Sequence, residues 1–317
     1  MRRQVKCINQ RSDIKIVDLK DSPEKQLECL QDSLDRYGFF LIRNFFVDSE
    51  SLKKACSLSE RFFSLSLNEK KKYFYKGQDQ KKYSNIGYFP FQSEKAIQGK
   101  YPDLKEFFHI GPSVFSSHNQ DSYAQNIWPE FDENFPIIMK DLFFQFTRSA
   151  LHALDLLSQY FVLPLDEMKD LTHEGGHVLR LLHYPPIEKN FQGERAAQHT
   201  GIQLLGFQPV PEARGLEYLT PQNQWIELDY KTFSDCTLVN IGDMFEFVTR
   251  GRAKASPHRV SNRCVDVDRY AMVFFFHANH VKELKTYGES IEGSLEKKQT
   301  ITAGTWLKER IFELSLE

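Results

Sequence analysis

Leu27, Leu30, Leu34 and Tyr37 recur at helical spacing behind Ser22-Pro23, and the stripe stops at Gly38. A serine cap, a first-turn proline and a terminal glycine together predict a helix between those marks. Residues 13–19 alternate in the manner of a first strand, and the unbroken run Phe39-Phe40-Leu41-Ile42 predicts a buried one. Asp48 stands where it would cap a second helix reaching Phe63, with a short third helix over residues 68–75. From residue 76 to about 125 the pattern breaks around Gly77, Gly87, Pro90, Gly99 and Pro102, giving an irregular stretch rich in Tyr and Phe. Loops of that kind line binding sites, and ordinary packed loops share the composition. Ile138, Leu142, Phe146, Ala150, Leu154 and Leu157 then predict one long amphipathic helix that ends before Pro164.

After Gly176 the spacing shortens to that of strands, over residues 177–184, 199–207, 215–219, 225–228, 237–241, 244–249, 255–260 and 270–277. Turns such as Pro221-Gln222-Asn223 and Gly242-Asp243 punctuate these runs. A helical layer followed by about eight close strands suggests a sandwich or barrel with helices packed on it.

At 317 residues the chain can bury most of its apolar surface in one large unit. The 41 Lys plus Arg nearly balance 43 Asp plus Glu, so a net charge of −2 gives no field that recruits nucleic acid or an anionic membrane. The chain also has no run near the roughly 20 apolar residues of a membrane span. The basic opening Met1-Arg2-Arg3 leads into polar residues, unlike a signal peptide or anchor. Cysteines at 7, 29, 56, 236 and 264 are odd in number and form no C-x-x-C pair, which suits free thiols and a cytoplasmic location.

His173-Glu174-Gly175-Gly176-His177 satisfies the H-E-x-x-H pattern of zinc proteases, which needs both histidines on one face of a helix. Two adjacent glycines oppose that helix, and the following residues are strand-like, so the protease reading is set aside. Other runs form a coherent set. They are Gly38-Phe39-Phe40, the loop Pro102-Asp103-Leu104-Lys105-Glu106-Phe107-Phe108-His109-Ile110-Gly111, the strand ending His183-Tyr184-Pro185-Pro186, and Gly242-Asp243-Met244 followed by Ser256-Pro257-His258-Arg259-Val260. In these residues the chain resembles the isopenicillin N synthase-like branch of the Fe(II)/2-oxoglutarate-dependent oxygenases, its bacterial members in particular.

The resemblance implies a mainly β protein with α-helices, a double-stranded β-helix (jelly-roll) core behind an N-terminal helical region. One structural unit is expected, with an N-terminal region over 1–125, a long packing helix within 126–170, the core over 171–285 and a helical tail over 286–317. It further implies Fe(II) held by His199 and His258, and 2-oxoglutarate held by Arg269 and Tyr184. A facial triad needs a carboxylate as third ligand, and the family's H-x-D pattern falls on His199-Thr200-Gly201, which has none. The family's R-x-S pattern likewise falls on Arg269-Tyr270-Ala271. Glu194, Glu217, Asp243 and Glu246 are carboxylates elsewhere in the core that bear on a replacement ligand.

Two functions follow. One is an oxidative enzyme acting on a small organic molecule held near Tyr88 and Lys105, with halogenation as a variant because iron halogenases also lack the carboxylate and take chloride in its place. The other is a catalytically inactive binding protein on the same fold. Small molecules, and neither nucleic acid nor membrane, are the expected partners. No acid–base residue is singled out.

Overall fold

The computed structural model of the chain describes residues 5–74, 86–96, 99–113, 123–188, 191–209, 214–263, 265–289 and 301–313. Parts of the aromatic stretch and of the C-terminal tail, with Tyr75 and Cys264, lie outside the described residues.

Strands β1 (Lys6–Ile8) and β2 (Ile16–Asp18) lead into helix α1 (Pro23–Tyr37). The Ser22 hydroxyl accepts the Lys25 amide at 3.3 Å, Pro23 opens the first turn, and Gly38 closes the helix at φ 76°, donating to the Leu34 carbonyl. Strand β3 (Phe39–Arg43) follows directly, and Asp48 caps α2 (Ser49–Ser64) by accepting the Ser51 amide at 2.8 Å. Next come α3 (Leu67–Lys70), strands β4 (Gly87–Phe89) and β5 (Glu106–Ile110), the 28-residue α4 (Asn134–Phe161) and α5 (Leu165–Thr172). The second half consists of β6 (Val178–Tyr184), β7 (Ala196–His199), β8 (Leu205–Pro209), β9 (Leu216–Leu219), β10 (Trp225–Leu228), β11 (Cys236–Ile241), α6 (Asp243–Val248), β12 (His258–Val260) and β13 (Arg269–Phe276). Helix α7 (Ala303–Glu313) follows.

Among the described residues these strands form two sheets, in the orders β1-β10-β9-β12-β7 and β2-β3-β11-β8-β13-β6-β5-β4. Their inner faces meet, with Phe39, Leu41 and Leu238 against Tyr218 and Ile226 at one end. At the other end Phe107, Leu182 and Tyr184 pack against Ala196 and Val260. The architecture is the jelly-roll sandwich expected, not a closed barrel. Helices cover the outer face of the larger sheet, where Leu179, Leu181, Phe274 and Phe276 share a core with Phe62 of α2 and with Leu142 and Phe146 of α4. The Phe146 ring stacks on Phe274 with centroids 5.4 Å apart.

Two local expectations fail. Residues 244–249, read as a strand, form α6, whose buried residues Met244, Phe245 and Val248 follow a helical turn. Short apolar runs satisfy both periods, and Gly242 starts the helix here. The run over residues 199–207 is likewise not one strand. β7 ends at His199, and residues 201–204 cross from the smaller sheet to the larger, where β8 begins. The H-E-x-x-H run begins at the C-cap of α5 and lies outside the helix, so the helix that a zinc protease requires is not formed there.

His177 instead serves the core. It is 5 % exposed, and its Nδ1 accepts the His277 amide at 3.1 Å, which requires an unprotonated nitrogen. Burial pushes His177 down to about 3 and His277 to about 4, against 6.5 for a free imidazole. Because the folded values are depressed, the unfolded chain binds more protons below pH 6.5, and stability is full above that pH. We expect it to fall from pH 6.5 towards pH 4 by up to about 1.4 kcal/mol per pH unit for each group. Thermal denaturation across that range should show the slope, and His177→Gln should flatten it. An unchanged acid limb in the variant would refute this account.

Candidate active site

A cavity lies between the sheets, lined from the larger one by Val178, Arg180, Leu182 and Tyr184 of β6 and by Val273 and Phe275 of β13. These are alternate residues of each strand, so their neighbours Leu179, Leu181 and Phe274 turn into the helix-covered core. The smaller sheet contributes Ala196, His199, Leu216, Tyr218, His258 and Val260.

His199 and His258 are direct cross-strand partners, and β7 carries one extra residue between this pair and the next, Val260 with Ala196. Bulges of this kind re-aim side chains beside sites. The two rings stand with centroids 4.3 Å apart. Nδ1 of His199 lies 2.7 Å from the Ala197 carbonyl, and Nδ1 of His258 lies 2.9 Å from that of Ser256. A carbonyl only accepts, so each Nδ1 carries the proton and each Nε2 keeps its lone pair. Burial pushes His199 down to about 4 and His258 to about 3, with each ring's basic neighbour adding to the shift, Lys105 for the first and His199 for the second. Two neutral imidazoles converging on one cavity have the chemistry to bind a metal. Tyr218 stacks on His258 at 5.1 Å.

Gly201 also lines the cavity, and the space its side chain would fill is taken. A Cβ built on it would fall 2.7 Å from Cδ of Gln203, and closer still to both ends of that amide. Gln203 is 2 % exposed. None of Glu194, Glu217, Asp243 and Glu246 lines the cavity. Glu217 is held by Arg259 at 2.7 Å and Arg263 at 3.2 Å, and Glu246 accepts the Ala255 amide at 2.7 Å. Among the described residues, no group of three His, Cys, Asp or Glu side chains is placed to hold a metal.

Arg269 sits on the inward register of β13, opposite Tyr184, and its guanidinium lies 4.9 Å from that ring. It is 1 % exposed. Nε donates to the Arg214 carbonyl at 3.2 Å, while Nη1 and Nη2 are buried with no hydrogen-bond partner. A guanidinium with two open donors fits a carboxylate fork.

Lys105 reaches the cavity wall, where Nζ lies 2.5 Å from Glu94 and 2.7 Å from Asp103. Arg180 grips Glu94 through both terminal nitrogens, at 3.0 and 3.1 Å. Burial raises Glu94, but Arg180 and Lys105 outweigh it and hold the carboxyl well below its usual range. Asp103 is raised by burial, with Lys105 opposing. Tyr88 does not join this wall. It is fully buried on the helix side of the sheet, its hydroxyl bonded to Glu106, which also receives Lys70 at 2.9 Å and lies 2.7 Å from His183. Strand alternation sends Glu106 away from the cavity, and its partner follows. Arg180, Glu94, Tyr218 and Gln203 are cavity residues that the sequence reading does not single out. Of these, only Arg180 gives a signal, as a charge at alternate spacing from Tyr184 in an apolar run.

Two family descriptions match the chain, the non-haem dioxygenase N-terminal region over residues 14–131 and the 2OG-Fe(II) oxygenase superfamily over residues 175–278. A 2-oxoglutarate-Fe(II) type oxidoreductase of Aspergillus fumigatus is 30% identical over 256 residues, covering 76% of this chain and 73% of its own. A 2OG-Fe(II) oxygenase family protein from Caulobacter crescentus superposes with a TM-score of 0.80 at 29% identity, covering 98% of this chain and 99% of the other. A full-length Neurospora crassa protein, solved in complex with α-ketoglutarate, superposes at 0.75 with 22% identity, covering 94% and 96%.

The charge network of the cavity wall should also be felt in stability. Removing Lys105 leaves Asp103 buried without its cation, so Lys105→Met should destabilise by about 3–5 kcal/mol in urea denaturation. Adding Asp103→Asn should restore part of the loss. A Lys105→Met loss below about 1 kcal/mol would place the network in water and contradict the burial described.

Proposed function

The chain belongs to the Fe(II)/2-oxoglutarate-dependent oxygenases, and on that footing we propose that His199 and His258 hold the ferrous ion, Arg269 seats a carboxylate of 2-oxoglutarate, and the cavity takes a small organic molecule for oxidation. The observation that carries this reading is the imidazole pair. Each ring's Nδ1 is committed to a backbone carbonyl two residues back, and each Nε2 is left for a ligand. Arg269 supports the co-substrate. A buried guanidinium with two open nitrogens is costly unless an anion completes it, and 2-oxoglutarate supplies such an anion. The absent serine at residue 271 removes one hydrogen bond, worth about 1 kcal/mol, and leaves the charged fork intact. Tyr184 packs against the guanidinium and closes that end of the cavity.

When bound, the ion and co-substrate supply the oxidising chemistry. The protein's share is to orient the two imidazoles, place the carboxylate and exclude water behind Leu182, Leu216, Val260 and Phe275. Substrate selection falls to the Lys105, Glu94, Asp103 and Arg180 wall, whose charges cancel. That wall suits an uncharged molecule with polar substituents. Oxygenation is favoured over halogenation because the Gln203 amide stands where a halide would enter beside Gly201. A binding-only role is disfavoured, since two buried imidazoles and an open buried guanidinium weaken a fold that puts them to no use.

Anaerobic addition of Fe(II) and then 2-oxoglutarate should raise a visible metal-to-ligand charge-transfer band. We expect His199→Ala to abolish it, Arg269→Met to weaken 2-oxoglutarate binding about tenfold or more, and chloride to leave it unshifted. A band of equal strength in His199→Ala would sink the site assignment, and a chloride-dependent shift in the wild type would return halogenation to the front.

A further inference from the structure

Gln203 is given no ligand role above, and we propose that its amide oxygen is the third protein ligand of the ion, in the place a carboxylate on residue 201 would occupy. This rests on the placement of that ion at His199 and His258. Three observations converge on it. The first is position. The Gln203 amide fills the volume where a side chain on residue 201 would begin, with Nε2 and Oε1 nearly equally close to that Cβ position, so the amide brings an oxygen donor there from two residues further along the chain.

The second is confinement. A Cβ built on Gly206 would fall 2.9 Å from Nε2 of Gln203 and closer to Oδ1 of Asn240, so the amide is confined from a second side as well. The segment is also held rigidly. The Asp243 amide donates to the Gly201 carbonyl at 2.7 Å, Gly242 to Leu204 at 3.0 Å, and Leu204 to Phe276 at 3.0 Å. Gly242 is itself required, because a Cβ there would strike the Gln203 carbonyl. A ligand on so pinned a loop loses little freedom when it binds.

The third is elimination. Among the described residues, the carboxylates lining the cavity are Glu94 and Asp103, and both are engaged by Lys105. An amide oxygen is a competent hard donor for a divalent ion. It carries no charge, so the dipositive ion is left uncompensated. The protein alone should therefore bind metal more weakly than a carboxylate site, and an anionic co-substrate should bind the loaded site more strongly.

The test is calorimetric and spectroscopic titration of the metal-free, full-length protein with Co(II), a redox-stable stand-in for Fe(II), in wild type and the variants Gln203→Leu, Gln203→Glu, Gly201→Ala and His199→Ala. Gln203→Leu keeps the volume and removes the oxygen, and should weaken binding about tenfold or more with a changed Co(II) d–d spectrum. Gln203→Glu should tighten it. Gly201→Ala should follow Gln203→Leu, because its methyl displaces the amide. Affinity and spectrum unchanged in both Gln203→Leu and Gly201→Ala, with binding still lost in His199→Ala, would overturn the role of Gln203 and leave the histidine site standing. Wild-type binding that survives His199→Ala would instead fall on the site assignment itself, and this proposal with it.

Discussion

Along β6 and β13 each residue faces the opposite side from its neighbour, and that alternation is what the rest of the molecule hangs on. Leu179, Leu181, Phe274 and Phe276 enter the core under α2 and α4, while Arg180, Tyr184, Val273 and Phe275 enter the cavity. A slip of one residue would exchange the two sets, burying Arg180 and Tyr184 among phenylalanines and opening the aromatic core to the cavity. The helices hold the register in place. Phe146 stacks on Phe274 at 5.4 Å, and Phe143 meets it edge-on at 5.2 Å. The packing that stabilises the sheet thus also aims Arg269, which stands on the inward register opposite Tyr184. On the smaller sheet β12 lies between β7 and β9, so Tyr218, His258 and His199 stand in one row.

Buried charge divides the molecule into structural and chemical parts. Lys70 with Glu106 and His183, Lys105 with Glu94 and Asp103, and Arg259 with Glu217 are compensated within the protein. Compensated groups of this kind fix neighbours and are destabilising to break. Arg269 and the two imidazoles differ, because Nη1 and Nη2 of the one are buried without a hydrogen-bond partner and each of the others commits its Nδ1 to a backbone carbonyl. A fold tolerates such groups where ligands complete them. That contrast separates His199 and His258 from the histidines at 177 and 183, whose ring nitrogens are used by the core.

Helix ends were legible residue by residue, since Ser22, Pro23, Gly38 and Asp48 act through contacts within a few positions of themselves. The apolar run at 244–249 was not, because a short buried segment satisfies both periods and only its burial among α4 and β11 neighbours settled it as α6. The segment after His199 misled for the opposite reason. It continues the β pattern of β7 into β8, and nothing local marks that the chain changes sheets between them. Tyr88 went astray with the loop that carries it, paired by its hydroxyl to Glu106 on the helix side.

From its sequence alone, this protein determined its helices at Pro23–Tyr37, Ser49–Ser64 and Asn134–Phe161, its family of sheet packing, and the two histidines that line the cavity, because these depend on spacing, capping and short runs that are local in the chain. The tertiary structure decided what stands at the missing carboxylate, how Lys105 is neutralised and which aromatic residues reach the cavity. Those outcomes depend on side chains meeting across sheets and around a crossover, as the Gln203 amide does over Gly201 and Gly206, and distance through space is not written in the order of residues.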